Sequence, residues 1–594
     1  MKNIPAPGSS APEKTRGLPA LPADMILIHP PAWFDFRECR DVYFPFLGTS
    51  GDVPITPLYE YFPLGFKTLQ RYLGERGHSV KIINMSTLLL RFPQIDIDQV
   101  IQALDTPLIG IDLHWLVHVQ GALALAERIK KQRPEIKIIF GGLSTSYFAD
   151  QLFQYPFVDM VMPGYDTHAP MDRLLSEMKR GGGLQGIPNL IWRGEQGVIH
   201  DNGLTHLPEA VGVGVDWRTV PKASANHLMP FREIVCTHSA GCGFNCQWCG
   251  GSRDTFRRIF GSRRTLLRKP DDEISYEFQT LQDLQETSDY HLYDIGAYNE
   301  TPARMRFFLD HVVDARLRSV SYEQFYLTPD DILIQMARAN SRTTITLSPE
   351  SHDFRISKLA GRGAYTNQQM EAWIERALAF GIYQIDIWYF VGMPEQDEKS
   401  VYETVAYCQH LLNKFKGQRV HPFICPMIPF LDPGSNYFEN PAPNGYRLFH
   451  RTLEEHRRGM ERASITNRIN YETRWLTRRQ LVDVGFRSVE ALMTARAEAG
   501  HFPASSIARF NQRVEDALAF NAIVEAADNL ANLRERARAL ADLGDEILKR
   551  NRAIFFSGVA NQAFPINRQI GGRWFDEMGW EASVLVDSIQ EGTS

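Results

Sequence analysis

Two successive series of short apolar runs constrain the fold of this chain more than any other feature. The first series has five runs rich in β-branched residues, separated by amphipathic helical patterns, which begin at Met25, Val80, Leu108, Lys137 and Val158. Strands alternating with helices in this way predict a parallel, doubly wound α/β sheet. Such sheets bind ligands outside the carboxyl ends of their strands. The residues that follow these runs are therefore candidates for a binding site.

The second series lies in the centre of the chain and has six strand-like runs separated by five helical patterns. The runs begin at Arg232, His291, Ser319, Thr343, Tyr383 and Arg419. This alternation predicts a parallel sheet curled into an open or partial barrel. After residue 440 the pattern is helical, with no further strand series.

These patterns predict five segments: a loose tail (1–24), a Rossmann-like doubly wound domain (25–180), a linker (181–229), a partial (β/α)6 barrel (230–440) and a helical C-terminal region (441–594). The tail has no apolar core typical of a signal peptide. No apolar run reaches the roughly 18 residues that a membrane span needs, so we expect a cytoplasmic protein. The net charge of −6 argues against a nucleic-acid binder held by a global basic field.

Four of the seven cysteines lie within 14 residues. The segment CGFNCQWC places Cys242, Cys246 and Cys249 at C-x3-C-x2-C spacing, just after a predicted strand. Three thiolates so spaced can hold three irons of a [4Fe–4S] cluster and leave the fourth iron open. The alternatives are a zinc site or unconnected buried thiols, but no second Cys or His pair typical of structural zinc lies nearby. Cys236, in the preceding strand, is interpreted as a core thiol.

The cysteine loop resembles that of the radical S-adenosylmethionine enzymes, in which it follows the first strand of a partial (β/α)6 barrel. Trp248, just before the last cysteine, fits that family too. The resemblance implies that the open iron binds the amino and carboxylate groups of S-adenosylmethionine. Electron transfer then yields a 5′-deoxyadenosyl radical.

Two further segments are compared with that family. Its glycine-glycine-glutamate motif is absent, and the chain has DIGAYNE instead, which leaves Asp294 or the backbone near Gly296 as candidates to meet the methionine amine. SPES, ending in Glu350 and Ser351, resembles the nucleoside-contacting segment, and GMPEQ resembles the turn after the fifth strand. The alternative for Glu350 is a carboxylate favoured by a helix N-terminus.

The leading unit resembles the cobalamin-binding domain found ahead of many radical S-adenosylmethionine enzymes. The matching pieces are ILIHPP, PLGFKTLQRYLGERGHSVKIIN, GGLSTS and PFVDMVMPGYD. The resemblance implies cobalamin contacts from Asp112, His114, Gly141, Gly142, Ser144, Gly164 and Tyr61. The D-x-H-x-x-G signature is absent, and DLHWLVH stands at the end of the third strand instead. His114 or His118 is thus a candidate cobalt ligand, with a polar contact or a core histidine as the alternatives.

Three other segments carry less specific signals. A long aromatic insertion after the first strand is interpreted either as a wall of the cobalamin and substrate chamber or as a hydrophobic plug between domains. Its aromatic residues are Phe34, Phe36, Tyr43, Phe44, Phe46, Tyr59, Tyr61 and Phe62. Basic clusters at 253–269 and 451–479 suit an anionic substrate, the acidic face of a reductant or the phosphate of cobalamin, or are solvated faces.

The two resemblances together imply a methyltransferase acting on an unactivated carbon or on phosphorus. One S-adenosylmethionine would methylate cobalamin, and a second would supply the radical that abstracts hydrogen from the substrate. The alternatives are cyclisation, ring rearrangement or carbon–carbon coupling without methyl transfer, and more remotely a non-enzymatic cobalamin or redox sensor. The expected partners are a small-molecule or natural-product substrate and an electron donor such as flavodoxin or ferredoxin.

Overall fold

The computed structural model describes residues 18–45, 64–92, 94–220, 232–285, 290–426, 431–501, 504–555, 569–570 and 573–574. Two largely parallel sheets follow one another along the chain, and long helices come after them. None of the described helices has the length and apolar character required to cross a membrane.

The first sheet has seven strands in the order β3-β2-β5-β6-β7-β8-β9. The strands of this part are β1 (Leu21–Pro22), β2 (Met25–His29), β3 (Val80–Asn84), β4 (Leu104–Asp105), β5 (Leu108–Asp112), β6 (Lys137–Gly141), β7 (Met160–Met162), β8 (Ile191–Arg193) and β9 (Ile199–Asp201). Its helices are α1 (Leu64–Gly74), α2 (Met85–Arg91), α3 (Ile97–Ala103), α4 (Val119–Gln132), α5 (Leu143–Tyr147), α6 (Ala149–Leu152) and α7 (His168–Arg180).

Helices cover both faces of this sheet, because alternate strand residues point to opposite sides. Ile26 and Ile109 belong to one core cluster, together with Ile129 of α4. Leu27 of the same strand β2 belongs to another, together with Leu174 of α7. The parallel part is therefore doubly wound, as the alternating pattern predicts.

Two parts of the chain differ from the predicted segments. The predicted linker at 181–229 contains β8 and β9, which continue the sheet in antiparallel fashion from β7. These strands bury Ile191 and Trp192 and cover an edge that would otherwise be unpaired. Within the predicted tail, β1 pairs in parallel with β4; residues 1–17 lie outside the described chain.

The second sheet has six parallel strands in the sequential order β10-β13-β14-β15-β16-β17. The strands of this part are β10 (Arg232–Cys236), β11 (Ser239–Gly241), β12 (Leu266–Arg268), β13 (Tyr290–Asp294), β14 (Ser319–Gln324), β15 (Arg342–Glu350), β16 (Gln384–Val391) and β17 (Val420–Pro426). The helices are α8 (Arg253–Phe260), α9 (Asp271–Gln285), α10 (Pro302–Asp314), α11 (Asp330–Ala339), α12 (Phe354–Leu359), α13 (Asn367–Ala379) and α14 (Glu398–Lys414). Each strand thus pairs with its neighbour in sequence, which places all six carboxyl ends along one edge.

The last part is mainly helical. Its helices are α15 (Asn436–Glu439), α16 (Leu453–Met460), α17 (Ile465–Arg468), α18 (Arg478–Glu498), α19 (Ala504–Asp528) and α20 (Leu533–Phe555). Short antiparallel pairs join β18 (Tyr446–Leu448) to β19 (Tyr471–Thr473) and β20 (Gln569–Ile570) to β21 (Arg573–Trp574). Helix α18 packs on α14, β17 and α19, so this region is anchored on the second sheet.

Candidate functional site

The first sheet has its ligand-binding edge between β2 and β5. Its five parallel strands stand in the spatial order second, first, third, fourth, fifth. Sheets of this order bind ligands where the order reverses, outside the carboxyl ends of the first and third strands. His29 ends β2 and Asp112 ends β5, and His29 Nδ1 lies 2.9 Å from both carboxylate oxygens of Asp112. The predicted residue Asp112 therefore stands at the switch point, held by a histidine.

His114 and Trp115 are exposed at this edge, although Leu113 and Leu116 on either side are buried. The pKa of His114 is lowered because many protein atoms around it desolvate the cation, and His118 adds repulsion. A neutral imidazole is a competent metal ligand. His114 is therefore the candidate ligand presented at this edge, since His118 is buried.

The glycine turn after β6 lies directly against this residue. Gly142 has a φ of +115°, and a Cβ there would lie 2.8 Å from the backbone nitrogen of His114. Ser144 donates hydrogen bonds from its amide (3.2 Å) and its Oγ (3.0 Å) to the carbonyl oxygen of His114. Gly141 ends β6, and Gly164, after β7, has a φ of +137°. The predicted residues His114, Gly141, Gly142 and Ser144 thus form one continuous backbone surface.

The three predicted cluster cysteines lie in a loop between β11 and α8. The amides of Phe244 and Gly251 each lie 3.3 Å from a sulfur and donate to Cys242 Sγ and Cys249 Sγ respectively. Burial raises the pKa of Cys246 to about 12, and it also raises the pKa values of Cys242 and Cys249. Thiolates in such surroundings need a cationic partner, which a metal supplies. Backbone amides directed at the sulfurs are a known determinant of iron–sulfur cluster potential.

A site for a single zinc ion requires its ligand atoms to lie close together. A single zinc ion holds sulfur at about 2.3 Å, so its thiolates lie within roughly 4 Å of one another. Within the described ranges, one group of three brings its ligand atoms within 4.8 Å of one another, and it is a different one: Cys236, His238 and Asp294.

Neighbouring segments fix the backbone of the cysteine loop. Gly250 N donates to Asp432 Oδ2 (2.8 Å), and Gln247 N donates to the carbonyl oxygen of Ala360 (3.0 Å). A Cβ at Gly361 would lie 2.5 Å from the carbonyl oxygen of Asn245. Segments after β15 and after β17 therefore hold the loop at the carboxyl edge of the second sheet.

Glu350 and Arg362 form a buried ion pair behind the loop, and the sequence did not single out Arg362. Arg362 Nε donates to Glu350 Oε1 (2.8 Å), and the guanidinium carbon lies 3.1 Å from the centroid of the Phe325 ring. Burial raises the pKa of Glu350, and Arg362 opposes that rise. The sequence feature that could have identified Arg362 is its position between Gly361 and Gly363, which both have a positive φ in the structure. The pair keeps a cation close to Cys246.

Of the other predicted residues, Trp248 lies within the loop and Asp294 ends β13. The Trp248 ring packs on Phe390 with 5.7 Å between centroids. Asp294 is fully buried, accepts a hydrogen bond from Gly296 N (2.9 Å) and lies against His238. Oδ1 of Asp294 is therefore occupied within the protein, and a contact of this residue with the methionine amine stays a prediction. Tyr61 lies outside the described residues.

The described aromatic residues of the insertion favour the plug over the chamber wall. Phe36, Tyr43 and Phe44 are buried, and Tyr43 packs edge-on against Phe520 of α19 with 4.8 Å between centroids. Asn551 of α20 donates to the carbonyl oxygen of Val42 (2.8 Å). Phe34 is half-buried, and Phe46, Tyr59 and Phe62 lie outside the described residues.

The two basic clusters differ in their surroundings. On and after α8, Arg257, Arg258 and Arg263 are exposed and make no ion pair within the described part of the chain. In the second cluster Arg457 and Arg458 pair with Glu454. The first cluster therefore offers three arginines, unpaired in the described structure, beside the cysteine loop, although its other basic residues pair with carboxylates. These residues are Arg253, Arg264, Arg268 and Lys269.

Comparison with known families and proteins gives two matches in sequence. The B12 binding domain family matches residues 52–173, a span that contains the glycine turn and the switch-point strand β5. The hopanoid C-3 methylase of Methylococcus capsulatus is 23% identical over 198 residues, which are 32% of this chain and 35% of that protein. The chain thus spans about a third of the length of the curated relative that it matches.

Solved structures match over most of the chain. One is the radical S-adenosylmethionine methyltransferase TsrM from Kitasatospora setae with cobalamin and a [4Fe–4S] cluster bound, with a TM-score of 0.55 and 14% identity over 84% of this chain and 100% of that one. Another is the cobalamin-dependent S-adenosylmethionine radical enzyme OxsB with aqua-cobalamin and S-adenosylmethionine bound, with a TM-score of 0.54 and 13% identity over 96% and 80%. The chain therefore contains a B12-binding domain and has the fold of the cobalamin-dependent radical S-adenosylmethionine enzymes.

Proposed function

We propose that this chain is a cobalamin-dependent radical S-adenosylmethionine methyltransferase that acts on an unactivated carbon or phosphorus centre of a small molecule or natural product. The observation that carries the proposal is the succession of a B12-binding domain and a parallel sheet whose first loop presents three cysteines. The named relatives support methyl transfer, since one is a methylase and another a methyltransferase. The competing outcome, radical rearrangement without methyl transfer, has no comparable support.

Cys242, Cys246 and Cys249 would hold a [4Fe–4S] cluster, and the buried thiols with amides directed at two sulfurs fit that group. When bound, the cluster and S-adenosylmethionine supply a carbon radical, and cobalamin supplies the methyl group. The chain's own part is placement: the backbone contacts to Ala360 and Asp432 fix the loop, and Phe390 packs against the Trp248 ring within it. Holding reactants in one geometry is itself a large catalytic factor.

We assign the cobalamin contacts to Asp112, His114, Gly141, Gly142, Ser144 and Gly164, which surround the switch point of the first sheet. The exposed His114 beside a glycine turn without Cβ atoms fits a large flat ligand approaching the backbone. Trp248 and Glu350 are assigned to the S-adenosylmethionine side.

We further propose that the six-stranded sheet is the partial (β/α)6 barrel of this family, over 230–440. The cobalamin-binding domain covers 25–180 and is extended by β8 and β9, and the helical region covers 441–594. The sequential strand order with a helix after each strand supports this assignment.

The exposed arginines on and after α8 are the proposed docking surface for an acidic one-electron donor such as flavodoxin or ferredoxin. Helix α8 begins four residues after Cys249, so a donor bound there would lie close to the cluster. Replacing Arg257 and Arg258 by Glu should slow cluster reduction by flavodoxin at least tenfold at low salt and leave reduction by dithionite unchanged. The matched control replaces the exposed Arg534 and Arg538 of α20. Equal rates for both double variants would contradict this docking surface.

The proposed function is tested by anaerobic reconstitution of the full chain with iron, sulfide and cobalamin. The holoenzyme is then incubated with methyl-labelled S-adenosylmethionine, a reductant and a host metabolite extract. We expect a labelled small molecule that appears only when cobalamin and the reductant are both present. Release of 5′-deoxyadenosine without any labelled product would favour radical chemistry other than methyl transfer.

A further inference from the structure

We propose that Cys236, His238 and Asp294 form a second metal site, separate from the cysteine loop, that takes a divalent cation of the zinc class. Cys236 ends β10 and Asp294 ends β13, and the two are register partners in the parallel sheet. His238 follows Cys236 by two residues. One ligand atom from each of the three residues lies within 4.8 Å of the other two, and all three residues are buried.

The register of the sheet explains why these groups meet. Asp294 is paired laterally with Cys236 on one side and with Tyr322 of β14 on the other. Laterally paired residues of a parallel sheet point to the same face. Phe308 of α10 contacts both His238 and Tyr322, with 4.1 Å and 6.3 Å between ring centroids. The three strand residues and His238 therefore form one polar layer beneath α10.

Several polar atoms in this layer have no hydrogen-bond partner in the described structure. They are Asp294 Oδ2, the Tyr322 hydroxyl and His238 Nδ1, all in side chains at most 3% exposed. His238 Nε2 lies 2.9 Å from Asp294 Oδ1 but without the geometry of a hydrogen bond. Leaving such groups buried and unsatisfied is costly. A cation between the thiolate, the imidazole and the carboxylate would satisfy them.

The donor set indicates the kind of metal. A thiolate, an imidazole and a carboxylate together suit zinc, and a calcium or magnesium site would use oxygen ligands alone. The Tyr322 hydroxyl or a water molecule would complete four-coordination. The nearest cation, Lys269, is paired with Glu277 (2.6 Å), so its charge is compensated. The metal would join the ends of β10 and β13 just before the chain enters the cysteine loop.

The test is the metal content of the full-length protein after expression with zinc and extensive dialysis. We expect about one zinc ion per chain, retained in the Cys242, Cys246 and Cys249 triple alanine variant and lowered at least tenfold in Cys236→Ser and in Asp294→Asn. Cys408→Ser, which changes a buried free thiol elsewhere, is the matched control and should keep its zinc.

A second measurement leaves the three proposed ligands unchanged. Cobalt(II) added to the zinc-free triple alanine variant should give a thiolate-to-cobalt charge-transfer band that zinc abolishes. Absence of that band, zinc that stays in Cys236→Ser and Asp294→Asn, or zinc that is lost only with the loop cysteines would overturn the proposal. Because the triple variant has no cluster, failure here is distinguishable from failure of the proposed enzyme function.

Discussion

Glu350 Oε1 accepts a hydrogen bond 2.8 Å long from Arg362 Nε, and neither side chain is more than 5% exposed. The pair joins the end of β15 to the turn that supports the cysteine loop. Glu350 itself has a φ of +69°, so the strand ends in a left-handed residue whose carboxylate is held by the arginine. The structure thus gives this glutamate a specific partner, which the helix N-terminus alternative did not require.

Removing the arginine should be strongly destabilising. In Arg362→Leu the Glu350 carboxylate stays buried without its cation, and such losses cost roughly 3–5 kcal/mol. The measurement is urea unfolding of the cluster-free protein. The control is Arg376→Leu, whose ion pair with Asp330 is exposed and should contribute roughly 1 kcal/mol or less. Equal losses for the two variants would show that the buried pair has no special role.

Gly142→Ala should weaken cobalamin binding. The added Cβ would lie 2.8 Å from the His114 nitrogen at a φ of +115°, so the turn must move away from the switch point. We expect the Kd of the protein for cobalamin to rise at least tenfold. The Kd is measured by absorbance titration. Gly77→Ala has a similar positive φ with no atom within 4 Å of the new Cβ and controls for backbone strain. If both variants bind cobalamin alike, the turn is not part of the site.

Asn551 connects the C-terminal helix α20 to the aromatic insertion. Its Oδ1 accepts from Phe44 N (3.0 Å), and its Nδ2 donates to the carbonyl oxygens of Val42 (2.8 Å) and Cys39 (3.2 Å). Asn551→Ala removes these three buried hydrogen bonds, at roughly 0.5–1.5 kcal/mol for each bond lost. Hydrogen exchange of the amides at 42–44 should accelerate, whereas exchange in β15 should not. Unchanged exchange at 42–44 would contradict this connection.

The buried side chain of His456 should make the folded protein less stable at mildly acidic pH. Burial lowers its pKa to about 4 in the folded state, against about 6.5 when unfolded. Between these values the unfolded chain binds a proton that the folded chain excludes, so stability falls as pH drops from 6.5 to 4 by about 3 kcal/mol. His456→Gln should remove this part of the dependence and leave the part that comes from the lowered pKa values of His450 and His501. His410→Gln, at an exposed histidine, should leave the dependence unchanged. A pH dependence in His456→Gln identical to that of the unaltered protein would refute the assignment.

Much of the fold was predictable because local patterns and tertiary structure agree here. The six strand-like runs predicted in the centre of the chain form β10, β13, β14, β15, β16 and β17, and each strand begins within one residue of its predicted start. The strands β8 and β9 were not predicted as part of the sheet, because strands of three residues are too short to show a clear alternation of apolar and polar residues. Their membership depends on pairing with β7, which is a tertiary contact.

The site was predictable where chemistry is concentrated in a short segment and obscure where it depends on distant contacts. The spacing of Cys242, Cys246 and Cys249 is a local signal. The pairing of Glu350 with Arg362 and the contact of Asp294 with His238 depend on strand register and on which face a residue takes. A shift of one residue in the register of a strand turns a carboxylate from the ligand-binding side of the sheet to the protein core. The sequence alone does not determine that register.

The central claim is tested most directly by measuring the products of S-adenosylmethionine in the reconstituted holoenzyme given a host metabolite extract. We predict S-adenosylhomocysteine and 5′-deoxyadenosine formed together, with 5′-deoxyadenosine lost in the Cys242, Cys246 and Cys249 triple alanine variant. If that variant, with no iron bound, still releases 5′-deoxyadenosine at the rate of the unaltered protein, the account of the cysteine loop is wrong.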